Sequence, residues 1–443
     1  MSEWKKVKID FDTIKLGDFI EPIKTTVLEL GEKNPIVYGV TNKEGIVQTG
    51  KPASKDISNY IALEDDCFAF NPYRVNVGSI GINDKKLKGC VSPAYVVFRT
   101  KNGLLPKFLY FYLKSDYGIH LINWYGNRGG VRNALRYSDL CNIDIPNINH
   151  LDQQKILKKF LSASDKIDEI SKEIEAQKNY IKQLRQNILQ EAIEGKLTAD
   201  WRKQNPDQKG NSDYDVEALF ERIQKERNGE KKQKELSPIT DEEKPFEIPK
   251  EWKWVRLGEI CNSITDGDHL PPPKQNSGIP FIVISDVSSG VIDFKGNRYV
   301  PESYYEKLQS DKKPQKGDIL YTVTGSYGIP VFVNDLKFCV QRHIGIIKPF
   351  QQIKNFIYYF LQSPICKKQA DSVAWGVAVK TIPIKELRNF TVPLPPLKEQ
   401  EEIVNKVETL LAKVTTLEKQ IQDRKSLSDK LIFGIIKENL EGK

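Results

Sequence analysis

Residues 142–196 and 389–443 of this 443-residue chain align without a gap at an offset of 247, and 15 of the 55 aligned positions are identical. The identical pairs include Pro146/Pro393, Gln153/Gln400, Ile156/Ile403, Ile174/Ile421, Lys178/Lys425 and Leu184/Leu431. Both segments close on Glu-Gly-Lys, at 194–196 and 441–443. An ungapped register of this length implies duplication, so the chain has to fold as two copies of one plan. The upstream regions agree more faintly. Glu3-Trp4-Lys5 answers Glu251-Trp252-Lys253, Gly78-Ser79-Ile80-Gly81 answers Gly325-Ser326-Tyr327-Gly328, and Gly129 answers Gly376. Each copy is a variable globular region followed by a well-matched segment.

The matched segment predicts a long helix. Residues 152–196 contain no proline, and their only glycine is Gly195 near the end. Phe160, Ile167, Ile174, Ile181 and Ile188 fall seven apart, with a second row at Ile156, Ala163, Ile170, Gln177 and Leu184. The second copy repeats the first row at Val407, Val414, Ile421, Ser428 and Ile435, and the second at Ile403, Leu410, Leu417, Arg424 and Leu431. Such a heptad seam reads as a coiled coil, and each helix spans on the order of 60 Å. The expected partner of each stripe is the other copy, paired antiparallel so that the halves are related by an internal pseudo-twofold. Polar Gln177, Arg424 and Ser428 are expected to fix the register.

The upstream regions alternate short apolar runs, such as Ile319–Val323 and Ala94–Phe98, with Gly, Pro and Asn turns. Phe108–Leu113 and Phe356–Leu361 read as buried amphipathic helices. The fold class is therefore α+β, with two globular domains separated by two long helices. The expected division is 1–150 for the first domain, 151–197 for its helix, and 198–250 for a polar connector with a short helix. The second domain follows at 251–396 and the second helix at 397–443.

Composition narrows the chemistry. Sixty-seven Lys and Arg against 59 Asp and Glu give a net charge of +8, which suits a polyanionic partner without demanding one. The six cysteines form no Cys-x-x-Cys pair, so free thiols in a reducing cytoplasm are expected rather than disulfides or zinc. No run of about 18 apolar residues is present, so no membrane span is expected. Gly45-x4-Gly50-Lys51 imitates a phosphate loop, but Pro52 stands where the Mg-binding hydroxyl belongs, and a hairpin turn is expected. Asn71-Pro72-Tyr73 lacks the second proline of an amino-methyltransferase signature, and no glycine-rich S-adenosylmethionine site accompanies it. Pro206-Asp207 with Glu230-Lys231-Lys232 imitates a nuclease metal site, but it lies in the polar connector. The histidines at 120, 150, 269 and 343 lack ligand spacing. No catalytic residue, cofactor or metal is expected.

Val392-Pro393-Leu394-Pro395-Pro396-Leu397-Lys398-Glu399-Gln400 resembles the start of the helical conserved region of type I restriction–modification specificity subunits. Glu194–Arg202 resembles the end of that family's central conserved region. Ile248-Pro249-Lys250-Glu251-Trp252 through Leu257-Gly258-Glu259 resembles the opening of its second target-recognition domain, and Lys316–Leu320 with Gly325-Ser326 is a further family-like run. The first copy departs at Asn147-Ile148-Asn149-His150, where the double proline is missing.

The resemblance implies two target-recognition domains, each reading half of a split site in double-stranded DNA. The helices would act as a ruler and as a docking surface for two methyltransferase subunits, which bind S-adenosylmethionine and methylate adenine. Motor–nuclease subunits would add restriction, and this chain would supply the address without catalysis. Base-edge readout favours Arg, Lys, Asn, Gln and His on loops. Candidates in the first half are Arg74, Asn76, Ser79, Asn127, Arg128, Arg132 and Asn133. In the second they are His269, Lys274, Ser326, Tyr327, Arg342, His343 and Lys380, and about half or fewer of the set are expected to touch DNA. For Trp124 and Trp375, DNA contact is one reading, and buried packing is the one expected of both. The alternative assignment is the specificity module of a type IIB-like methyltransferase–nuclease. A DNA-modifying enzyme would need a cofactor site, and a pure scaffold would have no need of two divergent globules.

Overall fold

The computed structural model describes residues 12–31, 34–49, 56–126, 134–228, 236–269, 272–273, 275–296 and 298–440. They fall into two compact units, Met1–Ala176 with Ile421–Lys443, and Gln177–Gln420. Asn127, Arg128, Arg132, Asn133 and Lys274 lie outside the described residues, as do the side chains of Phe160, Ala163, Ile167, Ser428, Leu431 and Ile435. Among the described residues no helix is long and apolar enough to cross a membrane.

The first domain builds a four-stranded sheet in the order Ile20–Pro22, Val96–Thr100, Phe68–Phe70, Ile80–Ile82. Beside it stands a second sheet in which Val37–Thr41 pairs antiparallel with Gly45–Gln48 and parallel with Cys90–Val91. The P-loop-like glycine at 45 thus opens the return strand of a hairpin, as its turn chemistry predicts. Two helices, Pro106–Lys114 and Asp116–Gly126, close the domain. Its core stacks Phe68 on Phe98 and buries Phe70, Phe108, Leu109 and Leu113, with Ile156 contributed by the long helix.

The second domain repeats this plan, except that among the described residues its smaller sheet has three strands where the first domain's has four. Its four-stranded sheet runs Cys261–Asp266, Ile344–Pro349, Ile319–Thr322, Pro330–Phe332. In the smaller sheet Ile279–Ile282 pairs antiparallel with Arg298–Val300 and parallel with Cys339–Val340. Helices Lys354–Gln362 and Pro364–Val373 take the places of the first domain's pair. In each domain the first strand pairs antiparallel with the last: Thr13–Lys15 with Asp144–Pro146, and Lys253–Arg256 with Thr391–Leu394.

Each closing strand leads into a long helix, His150–Ile193 and Leu397–Leu440, 44 residues or about 66 Å apiece. The glutamine shared by both copies has a definite task there. Gln153 Nε2 donates to the Ile148 carbonyl at 3.1 Å, and Gln400 Nε2 to the Pro395 carbonyl at 2.8 Å, the same bond 247 residues on. The first helix stops at Gly195, whose φ of +72° is left-handed, with Lys196 N–H reaching back to the Glu191 carbonyl. A Cβ at 195 would meet Pro249 and Arg202 at 2.8 Å, so close packing as well as backbone angle requires glycine.

The helices pair antiparallel. Arg185 meets Glu418 and Lys406 Nζ donates to the Leu197 carbonyl, while in the other unit Arg424 meets Glu173. Residue numbers rise on one helix as they fall on the other. Ile174, Ile181, Ile188, Val407 and Val414 are buried, and Ile421 is half-buried. The second predicted row is not uniformly covered: Leu184 and Leu417 are 42% and 43% exposed. Two helices in contact bury only the rows that face each other, and Arg424 lies on the surface in its ion pair rather than within the seam.

The helix–connector junction is held by one carboxylate. Glu399, 1% exposed, accepts from Thr198 Oγ1 at 2.6 Å, from Arg202 Nη2 at 2.6 Å and from Trp252 Nε1 at 2.8 Å. Glu399→Ala leaves Arg202 largely buried without its counter-charge, so a loss of roughly 3 kcal/mol in unfolding free energy is expected from urea denaturation.

Candidate nucleic-acid interface

The loops at one end of the second domain's main sheet converge because its strands are in register there. Asp266 lies opposite Gly345 and Thr322 opposite Ile344, so the chain leaving 266, leaving 322 and approaching 344 meets in one place. A clamp brings in a fourth segment. Trp375 and Thr381 exchange backbone hydrogen bonds at 3.1 and 2.8 Å, Ile382 N–H donates to the Val323 carbonyl at 2.7 Å, and Gly325 N–H to the Lys380 carbonyl at 2.9 Å. Side chains continue the chain of bonds. His343 Nδ1 lies 3.1 Å from Thr324 Oγ1, which lies 3.2 Å from Thr381 Oγ1.

Six of the seven candidates in this half are gathered by that architecture: His269, Ser326, Tyr327, Arg342, His343 and Lys380. His269 Nε2 lies 3.1 Å from Asp266. Arg342 Nε points at His343, and burial, followed by the neighbouring Arg342 cation, holds the His343 imidazole below its ordinary pKa. Tyr327 donates to Asp371 at 2.6 Å, a bond that raises its hydroxyl pKa, and Lys367 lies 4.6 Å from its ring centroid. Among the described residues neither Arg342 nor Lys380 is in an ion pair, which leaves both cations for an external anion. Beside them opens a cleft of about 290 Å3, lined by Asp268, His269, Phe281, Arg298, Tyr299 and Arg342 among others.

In the first domain the corresponding loop is 71–79. Asn71 Oδ1 accepts from Tyr73 N–H at 2.9 Å, and the Pro72 carbonyl accepts from Leu135 N–H at 3.1 Å, matching the Ile382–Val323 bond. Asn123 Nδ2 donates to the Asn76 carbonyl at 3.2 Å, and Lys114, its pKa lowered by burial, bonds the Asn42 and Gly78 carbonyls. Arg74 is exposed and Asn76 half-buried. Ser79 is 5% exposed, so its hydroxyl is not presented for readout as Ser326 is.

The two tryptophans reverse the expectation of burial. Trp124 is 70% and Trp375 69% exposed. Ile122 turns inward from the helix Asp116–Gly126, and a residue two positions on points to the opposite face. Trp375 lies just past the end of the helix Pro364–Val373, on the clamp. Tyr73 and Val77 in the first domain, and Val377 and Val379 in the second, are exposed as well. Hydrophobicity alone places such residues inside.

The description of the type I restriction modification DNA specificity domain matches residues 8–179 and 249–424, well over half of the chain. The chain belongs to that family. It is 25% identical to the type I restriction enzyme EcoKI specificity subunit of Escherichia coli (strain K12), over 97% of this chain and 85% of that one. It is 29% identical to the EcoBI specificity subunit of Escherichia coli over 44% of this chain, a stretch that spans 42% of the EcoBI subunit. A chain of the solved structure described as the structural basis underlying complex assembly and conformational transition of the type I R-M system shares the fold, with a TM-score of 0.69, 18% identity and 98% of each chain covered.

In this specificity-family chain the Thr324 hydroxyl joins two of the converging segments through His343 and Thr381. Thr324→Val is expected to lower unfolding free energy by about 1 kcal/mol and to speed amide exchange at 324–328, read by urea denaturation and hydrogen exchange.

Proposed function

We propose that this chain is the address-reading subunit of a type I restriction–modification assembly, with residues 1–150 and 251–396 each reading one half of a split site in double-stranded DNA. The observation that carries the reading is the repeated loop cluster: two domains with main sheets of one topology present non-identical polar and cationic side chains from the same end of that sheet. Phosphate contacts position such a surface, and arginine, lysine, asparagine and histidine at base edges specify it. Helices of about 66 Å exceed the 34–36 Å of one DNA turn and so suit a ruler between half-sites. Their partly exposed second row, Leu184 and Leu417, suits docking of two methyltransferase subunits, to which motor–nuclease subunits add. On this reading methyl transfer to adenine belongs to those partners, and this chain supplies the address inside the cytoplasm.

Methylome sequencing of cells expressing the chain with a cognate methyltransferase subunit is expected to show a two-part adenine-methylated motif that vanishes when the chain is omitted. An unchanged motif alongside an active methyltransferase contradicts the reading. Arg342→Ala is expected to relax one base position in one half-site, by about 1–3 kcal/mol of discrimination, and to leave the other half-site as it was.

A further inference from the structure

We propose that Trp375 and Trp124 are wedges, each pressed by its domain between stacked bases of the bound duplex. The inference rests on the reading of this chain as a DNA-sequence reader and adds to it a deformation of the DNA that base-edge contacts do not require.

The first ground is rigidity combined with exposure. The Trp375 backbone is fixed by two hydrogen bonds to Thr381, and Thr381 is tied in turn to Thr324. Gly376 turns the chain so tightly, at φ +126°, that a Cβ there would lie 2.2 Å from the Val379 carbonyl oxygen. An indole 69% exposed on so constrained a turn is held outward rather than left loose. Trp124 is held by its helix, which is bonded through Asn123 to the 71–79 loop.

The second ground is company. Trp375 shares its tip with exposed Val377 and Val379, and exposed Tyr73 and Val77 lie on the loop bonded to the helix of Trp124. Lys380 and Arg342, which form no ion pair among the described residues, accompany the apolar tip, and Arg74 is exposed in the first domain. Positive charge around an apolar projection complements a polyanion whose interior is a stack of apolar faces, and inserted apolar side chains are how such surfaces unstack a step.

The third ground is the chemistry of indole. It has one N–H donor and no acceptor, which makes it a poor reader of base edges, but its broad face stacks on any base.

The test uses the chain assembled with its methyltransferase subunits and a duplex carrying both half-sites of the methylome-defined motif. 2-Aminopurine is placed in turn at each position except the two methylated adenines, whose own extrusion would brighten it. The wild-type assembly is expected to raise fluorescence several-fold at one or two positions in each half-site. Trp375→Ala should abolish the rise in one half-site and Trp124→Ala in the other. Each should weaken binding about tenfold, leave the salt dependence unchanged, and be partly rescued by Phe. Lys380→Ala should instead flatten the salt dependence. Specific binding without any fluorescence rise overturns the wedge, as does a rise that survives both alanine variants. Loss of methyltransferase subunits from either variant overturns it in favour of a protein-docking patch. Absence of specific duplex binding by the wild-type assembly removes the underlying reading itself.

Discussion

A single buried carboxylate governs how this chain turns from one copy of its plan into the next. Glu399 stands in the first turn of the second long helix, where the helix dipole favours a negative charge. Its donors come from three other places: Thr198 just beyond the first helix, Arg202 in the connector, and Trp252 at the threshold of the second domain. Burying such a charge costs several kcal/mol and is tolerated only when its lone pairs are met by well-placed donors. The arrangement is therefore close to all-or-none. With the four groups in place, the first helix, connector, second domain and second helix share one junction, and Arg202 also seals the helix end by donating to the Gly195 carbonyl.

The long helices show how far pairing within one chain can go. Each contributes one well-covered row, built of Ile174, Ile181 and Ile188 on one side and Val407 and Val414 on the other. The ion pairs along their flanks are solvent-exposed and add orientation more than stability. Leucines 184 and 417 remain partly in water although the heptad pattern assigns them to the seam. A sequence written for more neighbours than one chain provides has this character, which agrees with the proposed role as one subunit of a larger assembly.

The architecture is largely legible in the sequence. Helix length, antiparallel pairing and the α+β character of both domains follow from periodicities of 7 and 2, which report burial directly, and from a repeat that survives gap-free. Gln153 and Gln400 illustrate why: each fixes the approach to its helix through the same local bond, so the same residue is needed twice. The loop chemistry was less legible. Ser79 and Ser326 match in sequence, yet the first is buried and the second exposed, a difference that a matched residue pair does not encode. Trp124 and Trp375 depart from the sequence expectation because propensity treats indole as core material, whereas here backbone clamps and helix phase turn it outward. The clamp of Thr324, His343 and Thr381 joins residues up to 57 apart and has no local signature.

The short two-stranded clips have a consequence for how such a chain changes over time. Because Thr13–Lys15 lies against Asp144–Pro146 and Lys253–Arg256 against Thr391–Leu394, each domain begins and ends at the same spot. Mechanically it is a closed loop plugged into a socket only a few residues wide. Whatever lies between the two clip strands can be lengthened, rebuilt or exchanged wholesale while the strands themselves still meet, at a cost in closure entropy that grows only with the logarithm of loop length. Recombination within the clips would then trade one domain for another as a cassette, and the helices downstream would keep their spacing.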